Sequence, residues 1–132
     1  MNCSIVWFRY DLRTCYNEAL FQATLNQTCL PIYILDTNFC ALKTTSYFHL
    51  NFINDSLVDL NLQLKRLDGN LNFYKGPTIE IFKYLFEKFK FRKVFSNRIF
   101  KNYFHSNLDK TIKNFFLQNN VDWIQTNQFG IQ

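Results

Sequence analysis

The 132-residue sequence predicts an α/β fold: a three-layer sandwich with a five-stranded parallel sheet between helices. Two observations predict it. Short apolar runs of strand length alternate strictly with longer segments whose apolar residues step by three and four. Several of the short runs are almost continuously apolar, as strands are when helices cover both faces. The composition agrees, because 48% apolar residues with 16 Phe can fill a real core, and the length suits one domain over residues 1–132.

The elements follow in order. Cys3–Phe8 reads as the first strand, and a short helix with Ala19, Leu20, Ala23 and Leu25 follows around Glu18–Gln27. Pro31–Leu35 is the second strand. In the next helix Ile53, Leu57, Leu60, Leu64 and Leu67 form one stripe, and Gly69 is placed to end it. Leu71–Tyr74 is the third strand. Gly76-Pro77 opens a helix through Phe82, Leu85, Phe86 and Phe89, with proline in a first-turn position where its missing N–H costs nothing. Lys93–Ser96 is the fourth strand. Ser106-x-x-Asp109 has the form of a helix cap, followed by Leu108, Ile112, Phe115 and Phe116. Val121–Ile124 is the fifth strand. Right-handed crossovers then require a wound Rossmann-like sandwich, with expected strand order 3-2-1-4-5.

Several function classes are disfavoured. Glycine occurs only at positions 69, 76 and 130, so no Gly-rich phosphate loop is present. No serine sits in a nucleophile elbow, and His49 and His105 are isolated. Cys3, Cys15, Cys29 and Cys40 have no zinc spacing, so no metal is expected and the thiols suit a reducing cytoplasm. No apolar run approaches the roughly 20 residues of a membrane span, and no signal peptide is visible.

Charge is uneven. Residues 81–113 carry nine basic residues against Glu87 and Asp109, within a net charge of +5. A polyanion or acidic partner fits such a stretch, and so does a merely solvated face in a Lys- and Asn-rich chain.

In open α/β sheets ligands gather at the carboxyl ends of strands. There the sequence places Trp7-Phe8-Arg9-Tyr10-Asp11-Leu12-Arg13, Asp36, and Asn97-Arg98. Arg9 and Arg13 could bind an anion, or pair with Asp11 to fix the loop; the residue types favour the second. Asp36 could reach a ligand or cap the turn Asp36-Thr37-Asn38. With order 3-2-1-4-5, Asn97 and Arg98 face Arg9 and Asp11 across a crevice. Trp7 and Trp123, both in strands, are expected in the core.

The run from Trp7 to Arg13, followed by Asn17-x-Ala19-Leu20, resembles the opening of the photolyase/cryptochrome family. Leu30–Asp36, Phe52–Leu60, Gly76-Pro77, Ser96-Asn97 and Trp123–Gln132 resemble later family segments in the same order. The resemblance covers only the family's N-terminal α/β domain. It implies light-dependent DNA repair or blue-light reception when that domain is joined to a helical domain that holds FAD, in cis or in trans, with DNA met indirectly through that domain. The FAD-binding helical domain is expected to be absent here, so the chain alone is expected to have no catalytic residues. It also implies an antenna pigment, folate or deazaflavin, in the crevice lined by Arg9, Asp11, Asp36, Asn97 and Arg98. The chain departs from the pattern at Tyr16, Lys101 and Phe104, the last standing where folate-binding members carry glutamate. A standalone nucleotide- or pigment-binding module, and an interaction subunit for a separate flavin domain, are the other expectations.

Overall fold

The computed structural model describes residues 4–9, 12, 17–24, 29–37, 47–67, 69–99 and 103–126. Cys3, Asp11, Arg13, Cys15, Tyr16, Leu25–Gln27, Asn38, Cys40, Lys101 and the stretch after Thr126 lie outside them, as do the side chains of His49, Phe104 and His105.

The elements are β1 (Ser4–Phe8), α1 (Glu18–Thr24), β2 (Cys29–Leu35), α2 (Tyr47–Arg66), β3 (Asn72–Lys75), α3 (Thr78–Phe89), β4 (Lys93–Asn97), α4 (Tyr103–Gln118) and β5 (Asp122–Thr126). All pairings are parallel, and the sheet order is β3-β2-β1-β4-β5. The predicted class and strand order are both observed.

Strand alternation sends side chains to opposite faces. Ile5, Trp7, Ile32, Ile34 and Val94 meet Phe82 and Leu85 of α3 and Ile112 and Phe116 of α4. Val6, Phe8, Tyr33 and Phe95 meet Ala19, Leu20 and Ala23 of α1 and Leu60 and Leu64 of α2. Among the described residues two helices therefore cover each face, which is why all five residues of β1 are buried. The first core is largely aromatic: Phe82 makes edge contacts with Trp7 at 5.0 Å and Phe116 at 5.2 Å between ring centroids.

Three details differ from expectation. The α2 helix ends at Arg66, so Leu67 leaves the stripe and is 63% exposed, while Gly69 closes the end by donating its N–H to Leu64 O at 2.8 Å. Pro77 stands at the cap of α3, one position before its first turn. Ser106 does not cap a helix, since α4 already begins at Tyr103. Apolar periodicity decided this boundary: Asp109, Ile112 and Phe116 all lie on the buried stripe of α4.

Candidate functional site at the carboxyl end of the sheet

Arg9 is the residue after β1. Alternation puts it on the same face as Ile5 and Trp7, under α4. Its guanidinium grips Asp109 with both nitrogens, Nη2 to Oδ1 at 2.9 Å and Nη1 to Oδ2 at 3.3 Å. The same planar group lies over the Trp7 ring, with Cζ 4.1 Å from the centroid. Trp7 in turn contacts Trp123 at 5.7 Å, and the indole N–H of Trp123 donates to the fully buried Ser96 hydroxyl at 2.8 Å. A continuous column thus runs from Asp109 through Arg9, Trp7 and Trp123 to Ser96.

Asn97 ends β4 and points to the other face, where α1 begins. Its Oδ1 accepts the Ala19 N–H at 3.0 Å and the Thr126 hydroxyl, and its Nδ2 donates to Asn17 Oδ1 at 2.8 Å. Asn17 Oδ1 also accepts the Leu20 N–H at 3.0 Å. Asn17 is therefore the N-cap of α1, and Asn97 satisfies a second N–H of the same turn from across the sheet.

Asp36 follows β2. Its Oδ2 accepts the Thr78 N–H at 3.0 Å and the Thr78 hydroxyl at 2.5 Å. Pro77, at the cap of α3, makes no side-chain cap bond, and the Asp36 carboxylate, 42 residues before Thr78, supplies it instead. Gly76 completes the junction, accepting from Thr37 N–H at 3.3 Å and donating to Leu35 O at 3.1 Å, with φ of 152°. That backbone angle suits glycine alone.

Of the five predicted crevice residues, Arg9, Asp36 and Asn97 are brought to the carboxyl edge and are buried, each holding a neighbouring helix. Arg98 is exposed beside Asn97, its backbone N–H bonded to Thr126 O at 2.8 Å. Asp11 lies outside the described residues. The sequence reading missed Asp109, Asn17 and Thr78. Asp109 had a signal, since a carboxylate three and seven residues before Ile112 and Phe116 sits at core spacing and needs a buried cation. Among the described residues no buried side-chain nitrogen or oxygen lacks a hydrogen-bond partner, and no three potential metal ligands cluster. No described helix is long and apolar enough to cross a membrane.

A sequence profile of the DNA photolyase family matches residues 4–129. Cryptochrome-1 of Aedes aegypti is 32% identical over 98 residues, covering 69% of this chain and 18% of the relative. The chloroplastic/mitochondrial cryptochrome DASH of Arabidopsis thaliana is 35% identical over 102 residues, covering 72% and 18%. The fold matches an archaeal photolyase from Sulfolobus tokodaii, a structure with two FAD molecules, at TM-score 0.85 and 22% identity over 95% of this chain and 29% of that one. It also matches a class III photolyase from Agrobacterium tumefaciens at TM-score 0.81 and 24% identity, over 96% and 26%. The chain thus spans about a fifth of the length of these cryptochrome relatives. With the family profile running almost end to end over a sheet of order β3-β2-β1-β4-β5, the chain belongs to the DNA photolyase family and corresponds to its N-terminal α/β region.

Proposed function

We propose that this chain is the α/β module of a light-dependent DNA repair enzyme or blue-light receptor, and that it works joined to a helical domain that binds FAD, in cis or in trans. The observation that carries this reading is the construction of the carboxyl edge. Arg9–Asp109, Asn97–Asn17 and Asp36–Thr78 tie α4, α1 and α3 to the ends of β1, β4 and β2, giving a rim with fixed walls. Such a rim suits a planar pigment or the surface of a second domain. FAD itself belongs to the helical domain in this reading, where it supplies the photochemistry.

The antenna set is proposed as Arg9, Asp11, Asp36, Asn97 and Arg98, in two roles. Arg9, Asp36 and Asn97 already bond to helices and would shape the crevice walls. Arg98, exposed at the end of β4, would offer its guanidinium to an anionic group of a folate or deazaflavin. Light-driven repair needs a flavin and a pocket for the flipped base, which this reading assigns to the helical domain, so the chain by itself should not repair DNA.

The test is reconstitution. The purified chain, illuminated with a thymine-dimer oligonucleotide, should leave the lesion intact. Co-expressed with the flavin domain of a photolyase relative, it should co-purify with a yellow partner. Repair by the isolated chain would refute the reading, as would failure to retain any flavin domain together with absence of any visible absorption band.

A further inference from the structure

Each crossover helix returns the chain from the carboxyl to the amino edge of the sheet, so α2 and α3 end on the side opposite Arg9, Asp36 and Asn97. Cations collect there. Lys65 and Arg66 close α2, while Lys88, Lys90, Arg92 and Lys93 surround the end of α3, against Glu87 and Asp122 among the described residues. Favourable pairing of cations with a helix carboxyl terminus acts only within its last turn. It accounts for Lys88, but Arg92 and Lys93 lie past the helix.

Aromatic rings lie among these charges. Lys88 Nζ is 5.8 Å from the Tyr84 centroid and 5.4 Å from that of Phe89, and Lys90 Nζ is 5.2 Å from Phe86. Tyr84 is 52% exposed and so presents a ring to solvent beside the ammonium groups. Lys90 adds an independent sign. It occupies the left-handed C-cap of α3, with φ of 53°, and its N–H donates to Phe86 O at 2.8 Å. Glycine or asparagine fits that conformation at lower cost. A lysine there gives up some helix stability and places a cation at the pole.

We propose that this pole is a binding surface for a nucleic-acid strand, with phosphates on Lys88, Lys90 and Arg92 and a base stacked on Tyr84. Neighbouring cations and an exposed ring are the two parts of a single-strand platform, charge for the backbone and a π face for any base. An acidic protein would use the charges but has no need of the ring. The surface lies at the far end of the sheet from the crevice, so absence of a pigment or of a flavin partner leaves it unaffected.

The experiment is fluorescence anisotropy of the full chain with labelled oligothymidine of about twenty nucleotides across a salt series. Binding should weaken steeply with salt. The variant K88Q/K90Q/R92Q should bind at least about tenfold more weakly, with a log–log salt slope reduced by about 2, since each single-strand phosphate contact contributes about 0.7. Tyr84→Ala should weaken binding at least about fivefold and leave the slope unchanged, because stacking releases no counterions. The substituted side chains are exposed, circular dichroism checks their folding, and Lys88→Glu alone serves if the triple variant unfolds. No binding at low salt, or equal binding by the charge variants, overturns the proposal. An unchanged Tyr84→Ala overturns it too, and oligoglutamate competing as well as oligothymidine then assigns the pole to an acidic protein.

Discussion

Arg9 and Asp109, one hundred residues apart, form a two-pronged ion pair whose side chains are only 6% and 7% exposed. It ties the loop after β1 to α4 and holds the guanidinium flat on Trp7. Removing one partner of such a pair strands a buried charge, which typically costs about 3–5 kcal/mol. Asp109→Ala should therefore lower stability by about 3 kcal/mol or more, read by urea denaturation. Replacing both residues with apolar ones, as in R9M/D109L, should recover much of that loss. A double-mutant cycle showing no coupling would mean that the two residues contribute independently.

Asp36 offers a second test, because it caps a helix to which it is not adjacent in sequence. Asp36→Ala removes the acceptor of both the Thr78 N–H and its hydroxyl. The expected loss is about 1–2 kcal/mol, the range for a lost cap. Thr78→Val keeps the backbone bond and should cost less. Hydrogen exchange should show the first turn of α3 losing protection before the rest of the helix in Asp36→Ala.

These contacts mark where sequence reading stops. Strand order was legible because β1, buried on both faces, reads as a continuous apolar run, and because the stripes on α2, α3 and α4 assign helices to connections. The partners of Arg9, Asp36 and Asn97 were not. Arg9–Asp109, Asp36–Thr78 and Asn97–Asn17 join residues 100, 42 and 80 positions apart. No local spacing encodes such distances, and only the closed sheet brings the groups together. Asp109 shows the ambiguity well. Three residues after Ser106 it matches a capping pattern, and three before Ile112 it matches a core position, and tertiary packing selected the second.

Lys90 makes an opposite prediction, a gain of stability. In its left-handed conformation Lys90→Gly should stabilise the chain by up to about 1 kcal/mol, the penalty carried by a side chain at that φ. Thermal denaturation should show a higher midpoint. An unchanged or lower midpoint would mean that the Lys90 contact with Phe86 offsets the backbone strain. The same variant should bind oligothymidine more weakly, so stability and binding are expected to move in opposite directions.

Tyr74, on β3 near the cation cluster, links the pole to pH. Burial of its phenol raises its pKa above the usual 10.0, the nearby Lys88 ammonium lowers it, and Tyr84 raises it again. Burial is the largest of these, because the phenolate loses water that no neighbour fully replaces. Ultraviolet titration should therefore show Tyr74 ionising later than an exposed phenol. The stability sign follows from proton binding. Between the unfolded and folded pKa values the native state holds the proton longer, so the contribution is fully present below pH 10 and is lost as pH rises through the folded value. Lys88→Gln removes the one lowering influence, so Tyr74 should then ionise at still higher pH. A downward shift in that variant would show that Lys88 acts on Tyr74 by shielding it from water rather than by charge.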